Sequence, residues 1–336
     1  MRDRARWDAA VLAAPGADLL QSWGWGAFRE RVGNWRALRL AVMNGEEALA
    51  GAQVLVRPIL GARFLYAPRG PWWRDEAALR ILARAIRRRG FPRAPLLRAD
   101  PLVTDAMPLR RLGFRPAPRQ VQPRATIVVD IAREPDQILA AFDAQVRYNT
   151  RLAERKGVEV VQGGRDAVVD FWKLLAATAE RKGFVEREAE YYQALADILG
   201  DDAGVFLARH DGQTVAGSIV VMFGEAAYYL YGASGGDRSV KPAELVQYRA
   251  MLWARGRGAT RYDMWGIPAH PTEDNPLYGV YRYKSGFGGR EITYVGSLDL
   301  PLVPVVPWAP GLVESLALKT QSLLRGQGFR IHDHLA

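Results

Sequence analysis

The chain has 336 residues, 49% of them hydrophobic, and no cysteine. That is enough apolar material for two cores, and it excludes a disulfide scaffold, thiol catalysis and cysteine-based zinc sites. Lys and Arg outnumber Asp and Glu by 46 to 36, a net charge of +10 that favours polyanionic partners without choosing among nucleic acid, phosphorylated substrates and an anionic membrane surface.

No apolar run reaches the length of a membrane span. The opening MRDRARWDAA is charged and leads into no apolar stretch, so it does not read as a signal peptide. The expected location is the cytoplasm, with room for peripheral contact at the inner face of the membrane. His210, His270, His332 and His334 form no HExxH pair, and no metal is expected.

In chain order, a helix is predicted over Trp23–Val32. A first meander follows in LAVMNGEEALAGAQVLVRPILGARFLYAPRG, from Leu40 to Gly70. Its turn is placed at Asn44-Gly45, its second strand opens with Ala50-Gly51, and its third ends in aromatic residues. Leu79, Ile81, Leu82 and Ile86 give helical spacing from Glu76 to a stop at Gly90. The apolar strand PLLRADP then closes at Pro101. Beyond the strand ATIVVDI, one helix is predicted over Pro135–Lys156, and the domain junction is placed in Asp130–Asn149. Helices are expected at Asp166–Lys182 and Glu188–Leu199.

A second meander, FLARHDGQTVAGSIVVMFGEAAYYLYGASGG, runs from Phe206 to Gly236 with its turn at Asp211-Gly212 and a strand opening at Ala216-Gly217. Lys241-Pro242 opens the next helix, Leu245–Gly258, and the strand RYDMWGIP ends at Pro268. The region from Pro301 is proline-rich and then helical over Gly311–Leu324. The β-β-β-α-β unit therefore occurs twice, offset by the interval from Gly51 to Gly217, with helices before each copy.

This unit resembles the GNAT acyltransferase fold. The expected class is α/β with mixed sheets, in two tandem GNAT-like domains. Residues 1–145 form the first, with 305–336 packing back on it, and residues 146–304 form the second. The Q/R-x-x-G-x-G/A loop that cradles the CoA pyrophosphate in GNAT enzymes is missing from both halves. Arg69-Gly-Pro-Trp-Trp-Arg-Asp stands there in the first and Gly235-Gly-Asp-Arg-Ser-Val-Lys-Pro in the second.

Several segments are similar to the FemABX aminoacyltransferases. Leu20-Gln-Ser-Trp-Gly-Trp-Gly-Ala-Phe-Arg29 resembles that family's LQS opening, and Tyr66-Ala-Pro-Arg-Gly-Pro71 its Y-x-P-R-G-P strand end. Arg147-Tyr-Asn-Thr-Arg-Leu-Ala-Glu-Arg-Lys-Gly157 resembles R-x-N-I-R-x-A-x-K-x-G. Tyr262-Asp-Met-Trp-Gly-Ile-Pro268 and Tyr278-Gly-Val-Tyr-Arg-Tyr-Lys-Ser-Gly-Phe-Gly288 resemble its C-terminal hallmark. No segment has room for the helical arm of FemA-like members, so the shorter FemX form is the nearer likeness.

The resemblance implies transfer of Gly, Ala or Ser from aminoacyl-tRNA, as co-substrate, to a stem-peptide amine of UDP-MurNAc-pentapeptide or lipid II. No cofactor is implied. It makes Lys284, in the family's K-x-x-F-G, the group that meets the developing oxyanion. Read alone, Lys284 is a surface lysine beside the turn glycines Gly286, Gly288 and Gly289. Asp100 is the acid placed nearest the attacking amine, and Asp263, on the matching second-half strand, reads as structural. Arg29, Arg187 and Tyr191 are implied to bind the precursor, the last two as an R-x-x-x-Y pair on one helical face. Tyr66, Arg69 and Tyr283 are further candidates.

Tyr229 and Tyr231 alternate along a strand and are expected on one face, in the cleft or in the core. Arg147, Arg151 and Arg155 recur at helical spacing beside Lys156 and are the tRNA candidates, with Arg84, Arg87, Arg88 and Arg89 a second basic cluster. Two other readings stand beside this one. One is a CoA-dependent or other N-acyltransferase in envelope polysaccharide assembly. The other is a non-catalytic binder of tRNA or of an envelope precursor.

Overall fold

The structure is a computed structural model that describes residues 1–59, 61–89, 94–182, 186–235 and 238–303. It divides into two compact units, residues 1–124 with 293–303, and residues 125–292.

The first unit opens with helix α1 (Arg4–Leu12) and a 3-10 turn at Leu19–Gln21. Helix α2 (Trp23–Val32) is capped by Ser22, whose hydroxyl accepts from the Trp25 N–H at 3.0 Å. Strands β1 (Arg36–Asn44), β2 (Glu47–Ile59) and β3 (Ala62–Ala67) form the meander. The short β4 (Trp72–Trp73) lies on β2, helix α3 (Glu76–Arg88) follows, and β5 (Leu96–Ala99) runs parallel to β3. Helix α4 (Met107–Arg110) and β6 (Arg115–Pro116) complete this stretch.

In the first hairpin Asn44 pairs with Glu47, so the central residues are Gly45 and Glu46 rather than Asn44 and Gly45. Of these two only Gly45 has positive φ, the signature of a type II′ turn. A glutamine bracket ties the opening of the chain to this sheet. The Gln21 side chain donates to Pro68 O at 2.5 Å and accepts from Gln53 N at 2.7 Å, while Gln53 donates to Ser22 O at 2.9 Å. Both side chains are at most 1% exposed. The glutamine of the LQS motif thus satisfies backbone groups inside the fold, where an unmade bond is costly.

The second unit contains β7 (Ala125–Asp130), α5 (Pro135–Ala141), α6 (Ala144–Arg155), β8 (Glu159–Gly163), α7 (Arg165–Lys182) and α8 (Ala189–Leu199). The meander β9 (Ala203–His210), β10 (Gln213–Phe223) and β11 (Ala226–Ser234) leads to α9 (Pro242–Gly256) and β12 (Arg261–Ile267). Helix α10 (Tyr278–Ser285) and β13 (Arg290–Thr293) follow. The sheet order is β13-β7-β12-β11-β10-β9-β8. The second hairpin has the turn read from its sequence, since Asp211 and Gly212 both take positive φ between paired His210 and Gln213. Helix α7 sets Phe171 against Gly217, while Leu245, Val246 and Met251 of α9 share a core with Ala216 and Val220. Adjacent β10 residues point to opposite faces, so these helices cover both sides of the sheet.

Strand β14 (Leu298–Pro301) returns to the first unit and pairs with β5 and β6, giving the order β1-β2-β3-β5-β14-β6. The division therefore falls after Arg124 and before Thr293, not at 145 and 304. ATIVVD is β7, a partner of β12 in the second sheet, and residues 298–301 are a strand of the first. The single helix expected over Pro135–Lys156 is two. Phe142 leaves helical geometry (ψ 153), and Asp143 caps α6 by accepting from Val146 N at 2.7 Å. Gly90, Gly236, the helix at Gly311–Leu324 and the packing of 305–336 lie outside the described residues.

Candidate active site

Strands β11 and β12 pair in parallel only through Ala226–Tyr228 and Arg261–Asp263. Beyond these three pairs both strands bulge. On β11, Tyr229 pairs with Val220 and Tyr231 with Ile219, leaving Leu230 extra. On β12, the register against β7 slips between Asp263 and Gly266, and Trp265 adopts φ 61.

Lys284 from α10 enters this opened stretch. It is 8% exposed, its Nζ donates to Gly266 O at 2.8 Å, and it lies 5.6 Å from the centre of the Tyr229 ring. Burial pushes its amine down to about 7, and the charge of Asp263 acts in the opposite direction. Burial also raises the Tyr229 phenol to about 12. The Tyr283 hydroxyl donates to Ala243 O at 3.1 Å, and its ring packs on Phe287. A lysine held this way is not the surface lysine of the plain sequence reading. Burial and the charge of Asp263 act on it in opposite directions, beside the stretch where β11 and β12 no longer pair.

The bulge overturns the expectation that Tyr229 and Tyr231 share a face. One extra residue reverses the side-chain alternation. Tyr229 packs with the α9 core beside Tyr262 and Tyr283, whereas Tyr231 packs on Tyr192 at 5.0 Å and meets the Tyr191 hydroxyl at 3.2 Å. Arg187 and Tyr191 do come together, with the guanidinium 5.0 Å from the ring centre. Helical spacing is not the cause, because α8 begins only at Ala189 with Glu188 extended at its cap. Arg187 is anchored instead through its backbone, since its carbonyl accepts from Trp172 Nε1 at 2.8 Å. Glu186 accepts from the Tyr192 hydroxyl, which fixes the other side of the cluster.

In the first unit Asp100 is 2% exposed and accepts from the Ser297 hydroxyl. Burial raises its carboxyl, against the pull of Ser297, Tyr66, Arg69 and Arg98. The Tyr66 hydroxyl accepts from Gln122 Nε2 at 2.9 Å, and burial and Asp100 push the phenol well up. Arg69, with φ 54, donates to Pro123 O at 3.1 Å and stands 5.7 Å from the Tyr294 ring centre. Arg98 grips Asp299 with two bonds of 2.8 Å. Arg29 sits in the last turn of α2, half-buried, 5.7 Å from the Trp35 ring centre.

On α6, Arg147 does not present its charge outward. Its Nη1 donates to Ala140 O at 3.1 Å and to Phe142 O, the free carbonyls at the end of α5. Arg151, Arg155 and Lys156 are exposed, and Arg155 lies 5.9 Å from the ring centre of exposed Tyr148. Thr126, Gly266 and Ser297 were not singled out from the sequence. A backbone carbonyl and two common hydroxyl residues carry no residue-type signal until distant strands are paired. Among the described residues no group of His, Asp and Glu could hold a metal ion, and no helix is long and apolar enough to cross a membrane.

The family model described as the FemAB family matches residues 113–213 and 208–314, together more than half of the chain. The chain belongs to the FemAB family. The lipid II:glycine glycyltransferase of Staphylococcus aureus (strain USA300) is 27% identical over 382 aligned positions, covering 88% of this chain and 90% of the relative. The same enzyme of strain MRSA252 is also 27% identical, with the same coverage. The crystal structure of FemX superposes with a TM-score of 0.83 at 24% identity, covering 90% of this chain and 96% of that one. A tandem GNAT protein from the clavulanic acid biosynthesis pathway superposes with a TM-score of 0.53 at 14% identity, covering 90% and 95%. The two units of this FemAB protein are therefore GNAT-like in fold, and the chain is an enzyme of acyl transfer.

Proposed function

We propose that this enzyme transfers an amino acid, glycine first among Gly, Ala and Ser, from aminoacyl-tRNA to the stem-peptide amine of a peptidoglycan precursor. The names of the 27%-identical relatives favour glycine and lipid II over the nucleotide-linked precursor. The observation that carries the reading is buried Lys284, bonded to the Gly266 carbonyl where β11 and β12 no longer pair.

The amine nitrogen attacks the ester carbonyl carbon of the aminoacyl-tRNA, forming the C–N bond. The carbonyl oxygen becomes an oxyanion, collapse breaks the C–O bond to the ribose, and the proton lost by the ammonium ends on the ribose hydroxyl. The Lys284 cation meets the oxyanion in a site of low dielectric, where one such donor contributes on the order of 10²–10³ in rate. A developing negative charge raises the affinity of Lys284 for its proton, so the cation is favoured as the reaction proceeds. Asp100 stays buried in its network and is assigned no proton transfer. Arg187, Tyr191 and Tyr231, which meet in the second unit, are assigned to the precursor, and exposed Arg151, Arg155 and Lys156 to tRNA phosphates.

The helix starts argue against the CoA reading. Asp75 already caps α3 by accepting from Ala78 N at 2.8 Å. Helix α9 begins with Pro242, which has no N–H to offer, and carries Glu244 in its first turn. Neither end is a pyrophosphate cradle.

The test is mass spectrometry of lipid II, or UDP-MurNAc-pentapeptide, incubated with the protein and charged total tRNA, beside a tube with acetyl-CoA. A gain of one amino-acid residue that RNase abolishes is the expected result. An acetyl gain, or no gain with either acceptor, overturns the reading.

A further inference from the structure

The bulge on β12 is held by an arrangement that the proposed chemistry does not itself use. Trp265 sits at φ 61, a conformation that bulky residues adopt only where their surroundings over-determine it. Two hydrogen bonds do so. Asp263 Oδ1 accepts from the Trp265 N–H at 2.7 Å and from the Thr126 hydroxyl of the neighbouring strand β7. The next carbonyl along, that of Gly266, accepts from Lys284 Nζ. Thr126, Asp263, Trp265 and Gly266 thus form one continuous support for the lysine.

We propose that Asp263, clamped by Thr126, is a positioning residue that sets both the aim and the charge of Lys284. The inference rests on the reading of Lys284 at the reacting carbonyl for its meaning, but it can be tested without turnover.

Charged and aromatic groups at Lys284 come from the neighbouring strands. Strand β12 contributes Asp263, and β11 contributes Tyr229. On α10 itself Tyr283 is buried against α9, where Glu244 and the β12 residue Tyr262 act on it. On β7 the neutral Thr126 reaches Asp263. Of the two carboxylates, Glu244 is engaged by Asn149 Nδ2 at 2.8 Å. Asp263 is the one whose charge reaches Lys284, opposing the burial that strips its proton. A purely structural carboxylate would hold the bulge through its oxygen lone pairs alone. A positioning carboxylate also acts through its charge.

Asp263→Asn separates these roles, because the amide oxygen still accepts from Thr126 and Trp265 while the charge is gone. The measurement is the ¹³Cε chemical-shift titration of Lys284 by NMR, with its peak assigned by its loss in Lys284→Met. The other lysines, Lys156, Lys173, Lys182, Lys241 and Lys319, serve as internal references. The expected result is that Asp263→Asn moves the Lys284 midpoint to lower pH by about one unit. Thr126→Val moves it in the same direction, and Thr126→Ser restores it. If Asp263→Asn does not fold, the two Thr126 variants carry the test. A midpoint that stays put in Asp263→Asn, or in Thr126→Val, overturns the proposal even if the protein transfers glycine normally. A midpoint that moves in a protein that aminoacylates no acceptor leaves the positioning role standing and removes the proposed reaction.

Discussion

Lys284 Nζ donates to the carbonyl of Gly266 at 2.8 Å, joining the last turn of α10 to the bulge of β12. This bond places a basic group where the sheet opens. Its consequences for stability and activity can be measured separately.

Lys284 makes the folded state pH-dependent. Unfolded, its amine titrates near 10.4; folded, near 7. Between those values the unfolded chain holds a proton that the folded chain has released, so stability rises with pH across that window, by about 1.4 kcal/mol per unit. Lys284→Met removes the cost of burying a charge. Urea unfolding should find it more stable than the parent by on the order of 2–4 kcal/mol near neutral pH, with the gap closing toward pH ~10. The same substitution should lower kcat by about 10²–10³-fold, with precursor binding retained.

Asp100 has the opposite sense. Its carboxyl is raised by burial, so between its unfolded and folded values the folded state binds more protons, and stability falls as pH rises through that window. Asp100→Asn should therefore gain stability relative to the parent as pH rises above ~4. Transfer should fall by less than about tenfold, because the carboxylate only organises its network. A loss of about 10³-fold would make it a general base.

Gly232 leaves room for Tyr229. A Cβ at that position would lie 1.8 Å from the Tyr229 hydroxyl oxygen. Gly232→Ala must displace the ring from beside Lys284, at a cost of about 1–3 kcal/mol for an overpacked site. Both the urea midpoint and kcat should fall, and Gly232→Ala combined with Tyr229→Phe should recover part of the stability.

Arg98 and Asp299 form a buried two-bond pair across β5 and β14, with side chains 7% and 14% exposed. Removing one partner strands the other. Arg98→Met should cost about 3–5 kcal/mol, whereas Arg98→Met with Asp299→Leu should cost much less. A double-mutant cycle by urea unfolding reads the coupling, and additive losses would show that the two residues do not meet.

Local pattern determined much of this protein. Helix α2 covers the span expected of it, Trp23–Val32. The Asp211-Gly212 turn followed from dipeptide chemistry, and the β-β-β-α-β order of each half from repetition. Family likeness pointed to Lys284, though not to what surrounds it. The turn signal lies within the turn it describes, whereas the repeat is read by comparing the two halves.

Pairing across long sequence separations was decided only by tertiary structure. Residues 125–130 and 298–301 could be assigned to a sheet only once their partners β12 and β5 were known. The bulges at Leu230 and Trp265 arise where the register of one strand slips against its neighbour, so alternation along β11 alone misassigns Tyr229 and Tyr231. Arg147 has the spacing of a basic face, yet the carbonyls left free where α5 ends at Phe142 take its guanidinium. The perturbed amine of Lys284 has the same origin. Desolvation depends on every atom around a group, and those at Lys284 include atoms of β11 and β12, which only folding brings to α10.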